Sequence, residues 1–135
     1  MIITHASAPV SSETFLRRAM LADAVLSGTT GLLMIAGAGI LSKFLAIPQP
    51  LLFWAGLILV PYVAYVVYVG TRTVIPQGGV WLVIAANAVW TLASAGLLVT
   101  GPIAPNILGH AFIVAQAVVV AVLGELQYVG LRRRA

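Results

Sequence analysis

The chain has 135 residues, 61% hydrophobic and 7% charged, with a mean hydropathy of +1.10 and a net charge of +4. A soluble domain carries about 25% charged residues; with so few, this chain in water would expose apolar area far above the few hundred Å² that monomers tolerate. With no cysteine it excludes disulfides, thiol nucleophiles and thiolate metal sites, and its basic residues flank apolar runs, the pattern of membrane topology rather than of nucleic-acid binding.

The opening stretch MIITHASAPVSSETF, through Arg18, reads as a short polar cytoplasmic tail in which any helical turn is interfacial. A membrane-crossing helix takes ~20 mainly apolar residues at 1.5 Å rise each. Residues 19–41 supply the first. Arg17 and Arg18 ahead of an apolar run also fit a signal peptide, but a cleaved signal has an apolar core of only ~7–15 residues. This run is longer and Asp23 interrupts its start, so it is read as a retained helix. PQP at 48–50 makes the turn into the second span, 51–70, where Pro61 predicts a kink. PQGG at 76–79 leads into the third span, 80–100, and GPIAPN at 101–106 into the fourth, 107–130, with a basic tail over 131–135. The expected fold is an all-α domain of four transmembrane helices over 19–130.

Charge orients it. Arg17, Arg18, Arg72, Arg132, Arg133 and Arg134 fall on the side shared by both termini and the middle loop, and only Lys43 on the other. That asymmetry predicts cytoplasmic termini in a bacterial inner membrane. A shift of 57 residues aligns AGAGILSKFLAIPQPL (36–51) with ASAGLLVTGPIAPNIL (93–108), pairing Gly39 with Gly96 and Pro48 with Pro105. This predicts a duplicated two-helix hairpin, related by an axis along the membrane normal.

Asp23, Ser27 and Thr30 share one helix face by their i, i+4, i+7 spacing, as do Asn87, Thr91 and Ser94. With Gly28, Gly31 and Ala38 on the first helix and Ala88, Ala95 and Gly96 on the third, these stripes predict a tight polar seam, or else a narrow polar pathway. Gln116, mid-span on the fourth helix, suits an interhelical hydrogen bond.

A charge at the bilayer centre costs at least ~2.5–3.5 kcal/mol, so depth matters. Asp23 and Glu125 are shallow, on the cytoplasmic side, with Asn87 roughly 10 Å in by the helical rise. Arg18, Arg72 and Arg132 lie near that level, and long arginine stems can reach along a helix. The expected arrangement is an Asp23–arginine–Glu125 network, joined by Asn87 and drawing on Arg18 or Arg132, that locks the first and last helices together. Tyr62, Tyr65, Tyr68, Trp54, Trp81 and Tyr128 read as interfacial aromatics; Trp90 is too deep for that and reads as packing.

His110 near the outer end of the fourth span and His5 in the tail lie at different heights and cannot share a heme within one subunit. No phosphate loop, metal-ligand cluster or catalytic triad is present, and no cofactor is expected.

The stretches LADAVLSGTTG, WAGLILVPY, NAVWTLASAGLL and GELQYVGLRRR resemble small four-span bacterial inner-membrane proteins that carry no assigned activity. The resemblance implies fold and location only. The size also suggests the small multidrug resistance transporters, but those carry a deep glutamate in the first helix where this chain has only the shallow Asp23. The expected role is therefore a non-enzymatic structural or accessory subunit, held by lipid and by itself or a larger membrane complex. The alternative is a small homo-oligomeric transporter or channel.

Overall fold

The computed structural model describes the backbone of residues 2–134 and the side chains of residues 12–134. Five helices follow one another: α1 Ile2–Ala36, α2 Ala38–Leu45, α3 Gln49–Gly70, α4 Gln77–Thr100 and α5 Ile107–Arg134. Four are long and apolar enough to cross a membrane, α1 through its segment Ser12–Ala36.

Three of the expected spans match α3, α4 and α5 within a few residues, because proline and glycine mark their ends. Pro48 and Pro76 precede helices, where a missing N–H costs nothing. Gly101 takes the left-handed conformation (φ 73°) that ends α4. Pro61 does not end α3, which runs through it to Gly70.

The first span differs from expectation at both ends. The segment read as a polar tail is helical from Ile2, so α1 enters the bundle as one continuous helix. Gly37 then separates α1 from α2, although it still donates to Leu33 O and accepts from Leu41 N. Beyond it, α2 stops at Ala46, whose N–H returns to Ser42 O.

Around the bundle the order is α3, α1, α5, α4. Helix α1 packs along both α3 and α5, and α4 along α5, whereas α3 and α4 scarcely approach one another. The α1–α3 crossing is close because glycines form it. A Cβ on Gly31 would meet Gly56 O at 3.3 Å, and one on Gly56 would meet Gly31 O at 2.9 Å. Without water to drive apolar surfaces together, such close approach is what gains dispersion energy between helices.

Each end is tied by polar contacts. On the side of the termini, Glu13 accepts from Ile75 N (2.8 Å) and pairs with Arg134 (3.0 Å). Arg17 donates to Gly70 O, Arg72 O and Thr73 O, closing the carbonyl end of α3. At the opposite end, Asn106 caps α5 by accepting from Gly109 N (2.8 Å) and donates to Phe44 O (2.7 Å). Between these ends lie two apolar clusters, one around Leu16, Met20, Val66 and Val80, the other around Met34, Leu52, Leu59 and Ile113.

Candidate functional site

The layer between the two apolar clusters is polar. Asp23 on α1 and Gln127 on α5 are wholly buried (0% exposed), and Asn87 on α4 is 4% exposed. Asp23 Oδ2 lies 2.6 Å from the Tyr62 hydroxyl of α3, accepts from Gln127 Nε2 at 2.8 Å and from Asn87 Nδ2 at 3.1 Å. Ser27, one turn along α1, donates to Asp23 Oδ1 at 2.8 Å. Asn87 Nδ2 also donates to Gln127 Oε1 (2.9 Å), and Asn87 Oδ1 lies 2.8 Å from the Tyr62 oxygen. One carboxylate thus gathers a side chain from each of the four spanning helices.

The expected Asp23–arginine–Glu125 network is not formed. Glu125 and Arg18 are exposed, and Arg132 reaches Tyr128 of its own helix. No described arginine pairs with Asp23, whose partners are all neutral. The geometric reason is the helical period: Glu125 and Gln127 are two residues apart, some 200° around α5. Gln127 shares the inward stripe with Gly124 and Gly130, each three residues away, and Glu125 faces out. The α1–α5 lock exists, but the Asp23–Gln127 hydrogen bond and the Glu13–Arg134 ion pair make it.

Tyr62 also departs from the interfacial reading. It lies on the inward face between Leu59 and Val66, while Tyr68 stays exposed with Arg72 stacked over its ring at 4.4 Å. Trp81 and Tyr128 meet edge to face near the same end. Gln127 and Tyr62, both absent from the sequence-based network, are two of its four helices' contributions. For Gln127 a signal was available in its flanking glycines, Gly124 and Gly130; Tyr62, in a run of aliphatic and aromatic residues, carried none.

The two polar stripes meet only at Asp23 and Asn87. Above that level they diverge around a cavity of about 660 Å³. Ser27, Thr30, Tyr62, Asn87, Trp90 and Gln116 contribute to a wall that is otherwise aliphatic and aromatic. A smaller space of about 320 Å³ continues past Trp90, Phe112 and Gln116 to Ile47 and Leu51. Because α3 and α4 pack through Val69 and Gly79 at one end and separate beyond it, the cavity is a cleft open between them. The tight seam is thus replaced by a V whose floor is the polar node.

The remaining stripe residues serve their own helices. Thr30 donates to Leu26 O, Thr91 to Asn87 O and Ser94 to Trp90 O. Gln116 makes the interhelical bonds expected of it, accepting from Trp90 Nε1 (2.7 Å) and donating to Ser94 Oγ (3.0 Å). Trp90 therefore does more than pack. His110 lies exposed beside Asn106 O, and the side chain of His5 is outside the described residues. Every buried polar side-chain atom among the described residues has a partner.

No comparison identifies the chain. No family model matches it, and neither the curated proteins nor the solved structures give a match.

Proposed function

We propose that this protein is a non-enzymatic structural or accessory subunit of a bacterial inner-membrane complex, with both termini in the cytoplasm. The observation that carries the reading is that the intramembrane polar groups are spent on one another. Asp23, Asn87, Gln127, Gln116 and Trp90 hold helices together and leave no free acid, base or nucleophile at the site. The arginine asymmetry supports the orientation, and the aligned halves support a duplicated hairpin. The partner surface in this reading is the outward face of α4, where Trp81, Ala85, Ala88, Leu92, Ala95 and Val99 are all exposed. Small residues at helical spacing allow another transmembrane helix to approach closely. The test is native mass spectrometry of tagged protein extracted gently at native expression. A larger membrane protein should co-purify and be lost on Ala88→Trp; a clean homo-oligomer overturns the reading.

The cleft favours a second reading, a small homo-oligomeric transporter. It is a cavity of ligand size, and Ser27, Tyr62 and Asn87 in its wall are bonded to the buried Asp23. Single cysteines placed at Ser27 and Ala86 in this cysteine-free chain discriminate: rapid labelling by a small water-soluble maleimide supports transport, and protection supports the accessory role.

A further inference from the structure

The node forms a closed ring. Asp23, Tyr62, Asn87 and Gln127 follow one another with edges of 2.6, 2.8 and 2.9 Å, and Gln127 returns to Asp23 at 2.8 Å. Four edges between polar atoms need four hydrogens. Tyr62 owns one hydroxyl hydrogen. Along the ring each amide presents an N–H to one neighbour and its oxygen to the other, so Asn87 and Gln127 supply one hydrogen apiece; the second Asn87 N–H crosses the ring to Asp23 Oδ2 at 3.1 Å and fills no edge. A carboxylate supplies none. With Asp23 ionised, the Tyr62 oxygen faces two acceptors, Asp23 Oδ2 and Asn87 Oδ1, and one O···O contact shorter than 3 Å has no hydrogen. Exchanging O and N in both amides reverses the direction of the ring and leaves the count unchanged; exchanging one alone sets like atoms face to face.

The ring's environment points the same way. Ser27 faces Asp23 from α1, Tyr62 from α3, Asn87 from α4 and Gln127 from α5, and none is a cation. The carboxyl group is fully buried, and an unpaired buried charge is far more costly than a neutral hydrogen-bonded group.

We infer that the node is a binding site for one proton, carried by Asp23 as a carboxylic acid that donates to Tyr62. Tyr62 then donates to Asn87 Oδ1, Asn87 Nδ2 to Gln127 Oε1, and Gln127 Nε2 back to Asp23 Oδ2, so every edge holds one hydrogen. Tyr62 and Asn87 belong to both the ring and the cleft wall, so the proton site borders the cavity through them. This site stands whether or not the protein belongs to a complex.

Asp23 is the one aspartate in the chain, so the test needs no substitution. The unaltered full-length protein is grown with aspartate ¹³C-labelled at its side-chain carboxyl, placed in lipid bilayers at neutral pH and compared by infrared spectroscopy with unlabelled protein. The expected result is a single carboxylic-acid C=O band that moves to lower frequency with the isotope and shifts again in D₂O. Tyr62→Phe should move the same band, because the acid loses its acceptor. An isotope-sensitive carboxylate pair, with no isotope-sensitive acid band, overturns the inference.

Discussion

Replacing Gly56 by alanine should weaken the bundle more than its size suggests. The added Cβ would lie 2.9 Å from Gly31 O, 2.9 Å from Met34 Cβ and 3.0 Å from Ile35 Cγ1. Ordinary Cβ contacts begin near 3.4 Å, so α1 and α3 must part by about 0.5 Å at their crossing. Gly31 O is backbone and cannot step aside as a flexible side chain would. A gap of that size forfeits roughly a quarter of each neighbouring dispersion contact, and the contacts at risk include Gly28 on Val63 and Gly31 on Leu59. Overpacking of this kind costs about 1–3 kcal/mol. The assay is reversible unfolding in mixed micelles of mild and denaturing detergent. Gly96→Ala is the control: nothing lies within 4 Å of its Cβ, so it should not destabilise, and the better helix propensity of alanine should make it neutral to about 1 kcal/mol more stable. Equal stability of the two variants would refute the glycine crossing as the basis of α1–α3 packing.

In the same assay Gln127→Leu should cost about 1–3 kcal/mol, because it strips a partner from both Asp23 and Asn87 inside the protein; Glu125→Gln, on the exposed side of α5, should cost nothing measurable. Glu13→Gln removes the charge that pairs with Arg134 across a partly exposed site, a loss of about 1 kcal/mol that shrinks in high salt. Glu13→Ala, which also deletes the acceptor of Ile75 N–H, should speed tryptic cleavage after Arg72 in the α3–α4 loop; an unchanged cleavage rate argues against that tie. Trp90→Phe keeps an aromatic side chain, though a smaller one, and deletes the donor to Gln116 Oε1, with an expected loss of at least about 0.6–2 kcal/mol; a neutral result would mean that this bond does not hold α4 to α5.

The sequence declared its helices openly and its site only in part. Length, hydropathy and the proline–glycine breaks placed α3, α4 and α5 closely, because the bilayer thickness and the missing proline N–H act locally. Asp23, Asn87 and Ser27 were recognisable as polar groups on inward faces. The error lay in pairing carboxylates with arginines. That rule serves where both charges share water at a surface, as Glu13 and Arg134 partly do; at the node, neutral amides and a phenol satisfy Asp23 instead. The polar stripes left a narrow pathway open as the alternative to a seam, but the wide cleft was not legible, since no local pattern reports the angle between two helices joined by a loop.

That angle has a cause in where the glycines fall. In lipid the inward face of a helix need not be the most apolar one, because apolar surface is solvated on either side. Close approach decides instead, and it needs small residues against a partner. Helix α1 meets α3 through Gly28, Gly31, Gly56 and Gly70, and Gly130 of α5 lies against Leu16 of α1. Gly124 of α5 lies against Asn87. Helix α4 brings Gly79 against Val69 at its first turn, but a Cβ on Gly96 would touch nothing. Helices α3 and α4 therefore have a short-range contact where the loop already joins them and none beyond it. They close at Gly79, are bridged once more by Tyr62 and Asn87, and then diverge. The polar node is thus the last point at which α3 and α4 are bridged by a hydrogen bond, and the cleft begins where that bridge ends.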